Sequence, residues 1–289
     1  MLNESCGRQA RRAALSALAL VLLAPLAAVA QEPAHLRDRG PGVATSMFGT
    51  YVREGELLFY PFVEWYYDSN LEYKPSELGF TGDEDFRGKY RATEGLIFLS
   101  YGITRNFAIE LEAAVISAEL EKAANDPSAL PAKLKESGLG DVEGQLRWRF
   151  QEEQPGGRPE LFTYFETVFP FQKKKKLIGT SAFEFKLGIG AIRGFDWGTM
   201  TFRAAIENGE DEGKRKFEAG EYAIEYLRRL SRRWRVVAVI EGNQLDEVEL
   251  ITEAQWHVSP RLFVKLNGGW GLTPNATDIA PELGVMFSF

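Results

Sequence analysis

The chain has 289 residues, 45% of them hydrophobic and 12% aromatic, and a formal net charge of −7. Beyond residue 30 no stretch approaches the roughly 18 consecutive apolar residues that a membrane-spanning helix needs, which excludes a helical membrane protein. So acidic a chain is a poor ligand for nucleic acid, and 28 glycines, 20 phenylalanines and 10 tyrosines point to strands and tight turns.

In chain order, Arg8, Arg11 and Arg12 precede an almost unbroken apolar run, Ala13 to Ala28. Ala28-Val29-Ala30 then supplies the small residues of a signal-peptidase site, so residues 1–30 read as an export signal cleaved before Gln31. The only cysteine, Cys6, lies ahead of the apolar run rather than behind it, which argues against lipidation. The exported chain then has no disulfide and no thiolate metal site. Residues 31–55 precede any strand pattern, and they are expected to lie in the periplasm or to plug a lumen.

From residue 56 onward, segments of about ten residues alternate apolar with polar, as barrel strands do when one face meets lipid and the other a lumen. Glu56–Tyr67 and Tyr90–Tyr101 are apolar on both faces in places, and Glu94 fits neither face. Phe107–Val115 is clean, with Glu110 and Glu112 opposing Ile109, Leu111 and Ala113. In Asp141–Phe150, Glu143, Arg147 and Arg149 oppose Val142, Leu146 and Trp148. Leu161–Phe169, with Glu166, is again mixed. Phe183–Ala191 sets Glu184 and Lys186 against Phe185, Leu187 and Ile189. Met200–Glu207 carries Arg203 and Glu207 inward, and Gly220–Tyr226 carries Glu221 and Glu225. Arg235–Gly242, with Arg235, is mixed; Val248–Trp256 carries Glu249 and Glu253; Leu262–Trp270 carries Lys265; Glu282–Phe289 completes the set. These twelve segments predict an all-β, transmembrane, antiparallel up-and-down barrel, with an even strand number as single-chain bacterial barrels have.

A water-soluble sandwich or lipocalin alternates in the same way, so other features must decide. The six tryptophans fall at the ends of these segments: Trp65 and Trp270 at one rim, Trp148, Trp197, Trp234 and Trp256 at the other, beside Tyr67 and Tyr226. That placement predicts two aromatic girdles at the headgroup levels. Long connections (68–87, 117–138, 170–181, Asn208–Lys216 and 272–281) alternate with the short turns Gly102–Asn106, Arg193–Gly198 and Val258–Arg261. The 117–138 connection has the composition of a short amphipathic helix interrupted by Pro127 and Pro131. Phe287 and Phe289 end the last alternating segment, resembling the signal that outer-membrane proteins present to the barrel-assembly machinery.

Ser137-Gly-Leu-Gly-Asp-Val-Glu-Gly-Gln-Leu-Arg-Trp-Arg-Phe150 resembles a strand of the outer-membrane channels grouped as the meta-pathway of phenol degradation family. Tyr101-Gly-Ile-Thr-Arg-Asn106 and the ending Asp278–Phe289 are also similar to that family. The resemblance implies a barrel that moves small, often hydrophobic or aromatic, compounds across the outer membrane.

Chemistry-bearing motifs are scarce. Gly188-Ile-Gly190-Ala-Ile-Arg-Gly194 lacks the strand–turn–helix setting of a dinucleotide loop and sits in an alternating run, where glycines relieve crowding. His35 and His257 are the only histidines; His257 with Ser259 is the sole candidate for a lipid-modifying enzyme, at the rim opposite the one such enzymes use. No metal and no cofactor are expected. Lys173–Lys176 reads as a solvated charge run that could attract lipopolysaccharide phosphates. The surplus of inward acids favours a wet, cation-preferring lumen. The reading is a monomeric outer-membrane channel for small solutes, surrounded by lipid and lipopolysaccharide; its rivals are a closed structural barrel and a lipid-modifying enzyme.

Overall fold

Twelve long strands follow one another in a computed structural model that describes residues 33–289, except 173, 181, 212 and 213 and the side chains of 209–216. Residues 1–30, read from the sequence as an export signal, lie outside the described residues. A 3-10 turn, Ala34–Leu36, and a small hairpin, β1 (Val43–Ala44) and β2 (Tyr51–Val52), come first. The twelve are β3 (Leu57–Tyr73), β4 (Phe86–Thr104), β5 (Phe107–Glu121), β6 (Lys133–Gln151), β7 (Glu160–Phe169) and β8 (Glu184–Phe195), then β9 (Gly198–Asp211), β10 (Lys214–Arg229), β11 (Trp234–Gly242), β12 (Val248–Ser259), β13 (Leu262–Gly271) and β14 (Ile279–Ser288). Each pairs antiparallel with the next, and β14 returns to β3, so the sheet is a closed barrel without edges. The Phe289 amide donates to the Leu57 carbonyl (3.0 Å) and the Phe289 carbonyl accepts from the Leu57 amide (3.2 Å), locking the closing seam.

Every strand read from the sequence is present, and several run further than the alternation indicated. The expected helix in 117–138 is instead strand on both sides of a 122–132 loop. Its charges sit on opposed outward positions: Lys133 and Lys135 pair with Glu119 at 3.0 and 2.5 Å, while Ala118 and Leu120 turn inward. Alternation at period two, with ion pairs across strands, holds an extended hairpin that an α-helix would scatter around its axis. Asn208–Lys216 is likewise strand to Asp211 and again from Lys214. The turn end also carries one longer connection, 152–159, and the loop end two short ones, 212–213 and 243–247.

The burial pattern settles which face is which. Outward positions are apolar and exposed, such as Leu111 at 46% and Val115 at 62%. Inward positions are charged and covered, Glu110 at 3%, Arg147 at 1% and Lys265 at 1%. That is the inverse of a soluble barrel, whose interior is apolar.

A charge on the outer wall tests what surrounds it. Leu111 lies mid-strand, opposite Leu99 and Gly144. In lipid vesicles Leu111→Arg should lower unfolding stability by about 2–4 kcal/mol, the cost of a cation near the bilayer midplane. A wall facing water would register only about 0.5 kcal/mol, so denaturant midpoints of the two proteins decide between them.

Candidate functional site

The lumen is crossed by the segment before β3. At the turn end, the Arg229 amide donates to Asp38 (2.9 Å). Arg39 reaches Glu160 at 2.9 Å and Glu153 at 3.0 Å, all three side chains being almost wholly buried. The β1–β2 hairpin then turns back through Thr45–Thr50 within the barrel. Wall side chains hold its backbone: Arg149 donates to the Gly42 carbonyl (2.7 Å), Arg147 to Ala44 (2.8 Å) and Gln255 to Gly49 (3.2 Å). Glu110 accepts from the Ser46 amide and hydroxyl (2.9 and 2.5 Å), and Glu225 from the Gly49 amide (3.1 Å). Gly49 has φ +66°, and a Cβ there would meet Val237 at 2.6 Å, so the turn needs glycine for conformation and for space. Charged inward side chains of the barrel wall thus find partners in the backbone of a loop, although some buried polar atoms, among them Glu110 Oε1 and Arg147 Nε, have none.

The hairpin also explains the four segments that looked apolar on both faces. Inward residues of β3 and β4 (Tyr60, Phe62, Leu96, Phe98) pack on Val43 and Val52. Phe162 and Tyr164 of β7 pack on Ala44, and Val237 and Val239 of β11 on Phe48 and Tyr51. Gly188 and Gly190 of β8 lie under the rings of Tyr164 and Phe162, which a Cβ at either position would overlap. The glycine-rich run therefore serves close packing of rings against a strand.

On the loop side of the hairpin lies a cavity of about 640 Å³. Its wall holds eight glutamates (Glu110, Glu112, Glu143, Glu166, Glu184, Glu207, Glu221 and Glu241) against Lys186 and Arg203. Lys186 lies 3.0 Å from Glu166 and 2.6 Å from Glu221; Arg203 lies 3.3 Å from Glu241 and over the Phe48 ring at 4.1 Å. A second cavity of about 430 Å³ faces the turn end, among Arg39, Arg53, Arg105, Arg149 and the 152–160 glutamates. Where Thr45–Tyr51 meet Arg147, Phe162 and Thr201 lies a pocket of about 10 Å³, room for no more than a single water.

The other positions read from the sequence fall elsewhere in the lumen. Arg147 and Arg149 serve the hairpin rather than the acidic cavity. Glu253 and Lys265 form a buried pair at 2.9 Å, on the far wall. Arg235 shares the inward face of β11 at its turn end, and Glu249 that of β12 at its loop end. Sequence reasoning missed Glu64, Glu94, Glu160, Glu241 and Glu282. Glu94 faces Glu64 across β3–β4, and Glu64 faces Glu282 across β14–β3. Glu241 and Glu282 were in phase with inward neighbours and could have been read; Glu160 lay one residue before the assigned segment.

The tryptophans are all exposed on the outer surface. Trp234 stacks on Trp256 (6.3 Å) and Trp197 on Tyr226 (5.9 Å). Trp65 is a correction: it sits mid-strand, because β3 runs on to Tyr73, yet near the level where β14 begins, since Ile279 pairs with Tyr67 and Trp270. Phe287 stacks on Phe59 and on Phe289. His257 bonds Gln255 (3.2 Å), while the Ser259 hydroxyl accepts from the Arg261 amide (3.2 Å), so the two do not form a nucleophile–base pair. Of the lysine run, Lys173 lies outside the described residues, and Lys175 donates to the Ser137 carbonyl.

No family model and no curated protein matches this chain. Among solved structures, an outer membrane channel from Pseudomonas putida F1 superposes with a TM-score of 0.58 at 12% identity, covering 82% of this chain and 97% of the channel. The translocator domain of the autotransporter NalP from Neisseria meningitidis gives a TM-score of 0.49 at 11% identity, covering 81% and 88%. At such identities the likeness is one of fold, a closed barrel of the outer-membrane kind.

Proposed function

We propose that this protein is an outer-membrane channel for small solutes whose own N-terminal segment closes it. The observation that carries the reading is the inverted barrel: apolar residues outside, a charged lumen inside, and a cavity of about 640 Å³ within it. In this reading the loop end faces the exterior and the turn end, with both chain termini, the periplasm. Solutes enter the acidic cavity from outside, and passage requires the 33–55 segment to move. The acidic lining favours cations and neutral molecules over anions. Lipid and lipopolysaccharide cover the outer wall, a single chain closes the barrel by itself, and Phe287 and Phe289 on the closing strand serve assembly. The rival reading, a permanently shut structural barrel, draws its support from the same segment.

The test is single-channel recording of the refolded protein in a planar bilayer under a salt gradient. The expected result is small, infrequent steps whose reversal potential reports cation preference. Folded protein that never conducts leaves the structural barrel; anion-selective steps overturn the assigned role of the glutamates.

A further inference from the structure

We propose that the loop-side cavity is a binding site for linear organic amines carrying two or more ammonium groups. The inference names the solute class of the channel reading and rests on it only for the direction of entry.

The charge of the cavity is uncompensated in a specific way. Lys186 and Arg203 are taken up by Glu166, Glu221 and Glu241. Among the described residues no ion pair reaches Glu112, Glu143 or Glu184, and Glu112 stands directly opposite Glu143 across β5–β6. Like charges in that position repel unless something positive lies between them.

A second observation points at a ligand. Glu110 is 3% exposed and lines the cavity; its Oε2 holds the hairpin, but its Oε1 has no hydrogen-bond partner. Its register partner Gln145, also buried in the cavity wall, has an unpartnered Oε1 of its own. Both oxygens are buried beside the cavity without a donor, and an unmet buried acceptor is costly unless a donor reaches it.

The geometry favours an organic cation over a metal ion. Among the described residues no three carboxylate or imidazole groups converge to hold a metal. The unpaired carboxylates are spread from β5 to β8, three strand spacings or roughly 14 Å along the wall. A chain with separated ammonium groups spans that distance, whereas a single ion does not. Tyr66 and Phe98 add aromatic side chains to the lining, and alkylammonium groups are attracted to such rings.

The experiment is calorimetric titration of the full-length, refolded protein in zwitterionic detergent with spermidine as the probe. Saturable binding of about one spermidine per barrel with a dissociation constant below about 1 mM is expected. Glu112→Gln with Glu143→Gln should weaken it at least about tenfold, the loss of roughly 1.4 kcal/mol. Glu119→Gln with Glu121→Gln, outside the lumen, should leave it unchanged, and heat-modified gel migration confirms that each barrel is folded. Absence of binding, equal binding by the Glu112/Glu143 variant, or displacement by magnesium chloride at matched charge overturns the proposal. Because the titration needs no current, a barrel that conducts without binding spermidine removes this inference alone. A barrel that binds it and never conducts removes the channel reading instead.

Discussion

Deleting residues 33–52 should raise single-channel conductance by about tenfold, since a twelve-stranded barrel freed of its interior segment is wide enough to hold water. The expectation follows from the arrangement of space. Cavities of about 640 and 430 Å³ lie on the two sides of the hairpin, and the pocket where its turn meets Arg147, Phe162 and Thr201 holds about 10 Å³. The wall would survive the deletion because its hydrogen bonds run strand to strand and the outer apolar face is untouched. Inside, Arg147, Arg149, Glu110 and Glu225 lose backbone partners, but the water that replaces the hairpin solvates them. The inward rings of Tyr60 and Phe98 become wet, so the deletion protein should also unfold at lower denaturant. A milder variant guards against loss of folding. Gly49→Val places a side chain against Val237 and Gln255 at a φ of +66°, which should displace the turn and raise the open fraction without removing any chain. Folded variants with unaltered conductance would show that the hairpin does not control the path.

Lys265→Met should destabilise the barrel by about 3–5 kcal/mol, the cost of leaving buried carboxylates without their cation. Lys265 lies 2.9 Å from Glu253 and 3.8 Å from Glu282, and all three side chains are nearly inaccessible. Its ammonium also stands over the Tyr60 ring at 5.2 Å. The two glutamates have neutral partners as well: Gln255 donates to Glu253 (2.6 Å), Asn267 to Glu282 (2.8 Å), and the Tyr60 hydroxyl to Glu282. Those bonds hold the carboxylates in place, so without Lys265 they cannot turn away toward water. Adding Glu253→Gln and Glu282→Gln to Lys265→Met should recover most of the loss, because the cost lies in the unpaired charge and not in the missing lysine chain. Chemical unfolding of the wild type, Lys265→Met, the Glu253→Gln/Glu282→Gln variant and the combined variant in the same lipid forms the cycle that isolates the coupling. A single-variant loss under about 1 kcal/mol would mean that water or a counter-ion reaches this wall.

Much of the candidate site was legible in strands with clean alternation. Glu110, Glu112, Glu143, Glu184, Lys186, Arg203 and Glu221 were all inward by phase and do meet in one cavity. Glu241 was equally readable, two residues beyond Val239 on the same face. What alternation could not supply was partnership. Arg147 and Glu110 look alike as inward charges, yet both bind a segment more than sixty residues earlier in the chain. The clue was present as an anomaly: the four segments apolar on both faces are those whose inward side packs on residues 43–52.

The sequence by itself determined the twelve strands, their even number and the period of two, because each is a local property of side-chain alternation and turn residues. Alternation alone could not determine which face is outside, since a period-two pattern is unchanged when inside and outside are exchanged; the rim tryptophans and the closing phenylalanine supplied that expectation. Closure of β14 onto β3 then encloses one face and exposes the other. The extent of β5 and β6 beyond the apolar zone, the Glu253–Lys265 pair and the occupied lumen were likewise decided by tertiary structure. Each depends on residues distant in sequence coming within a few ångströms, and the entropy of bringing them together is repaid only in the assembled barrel.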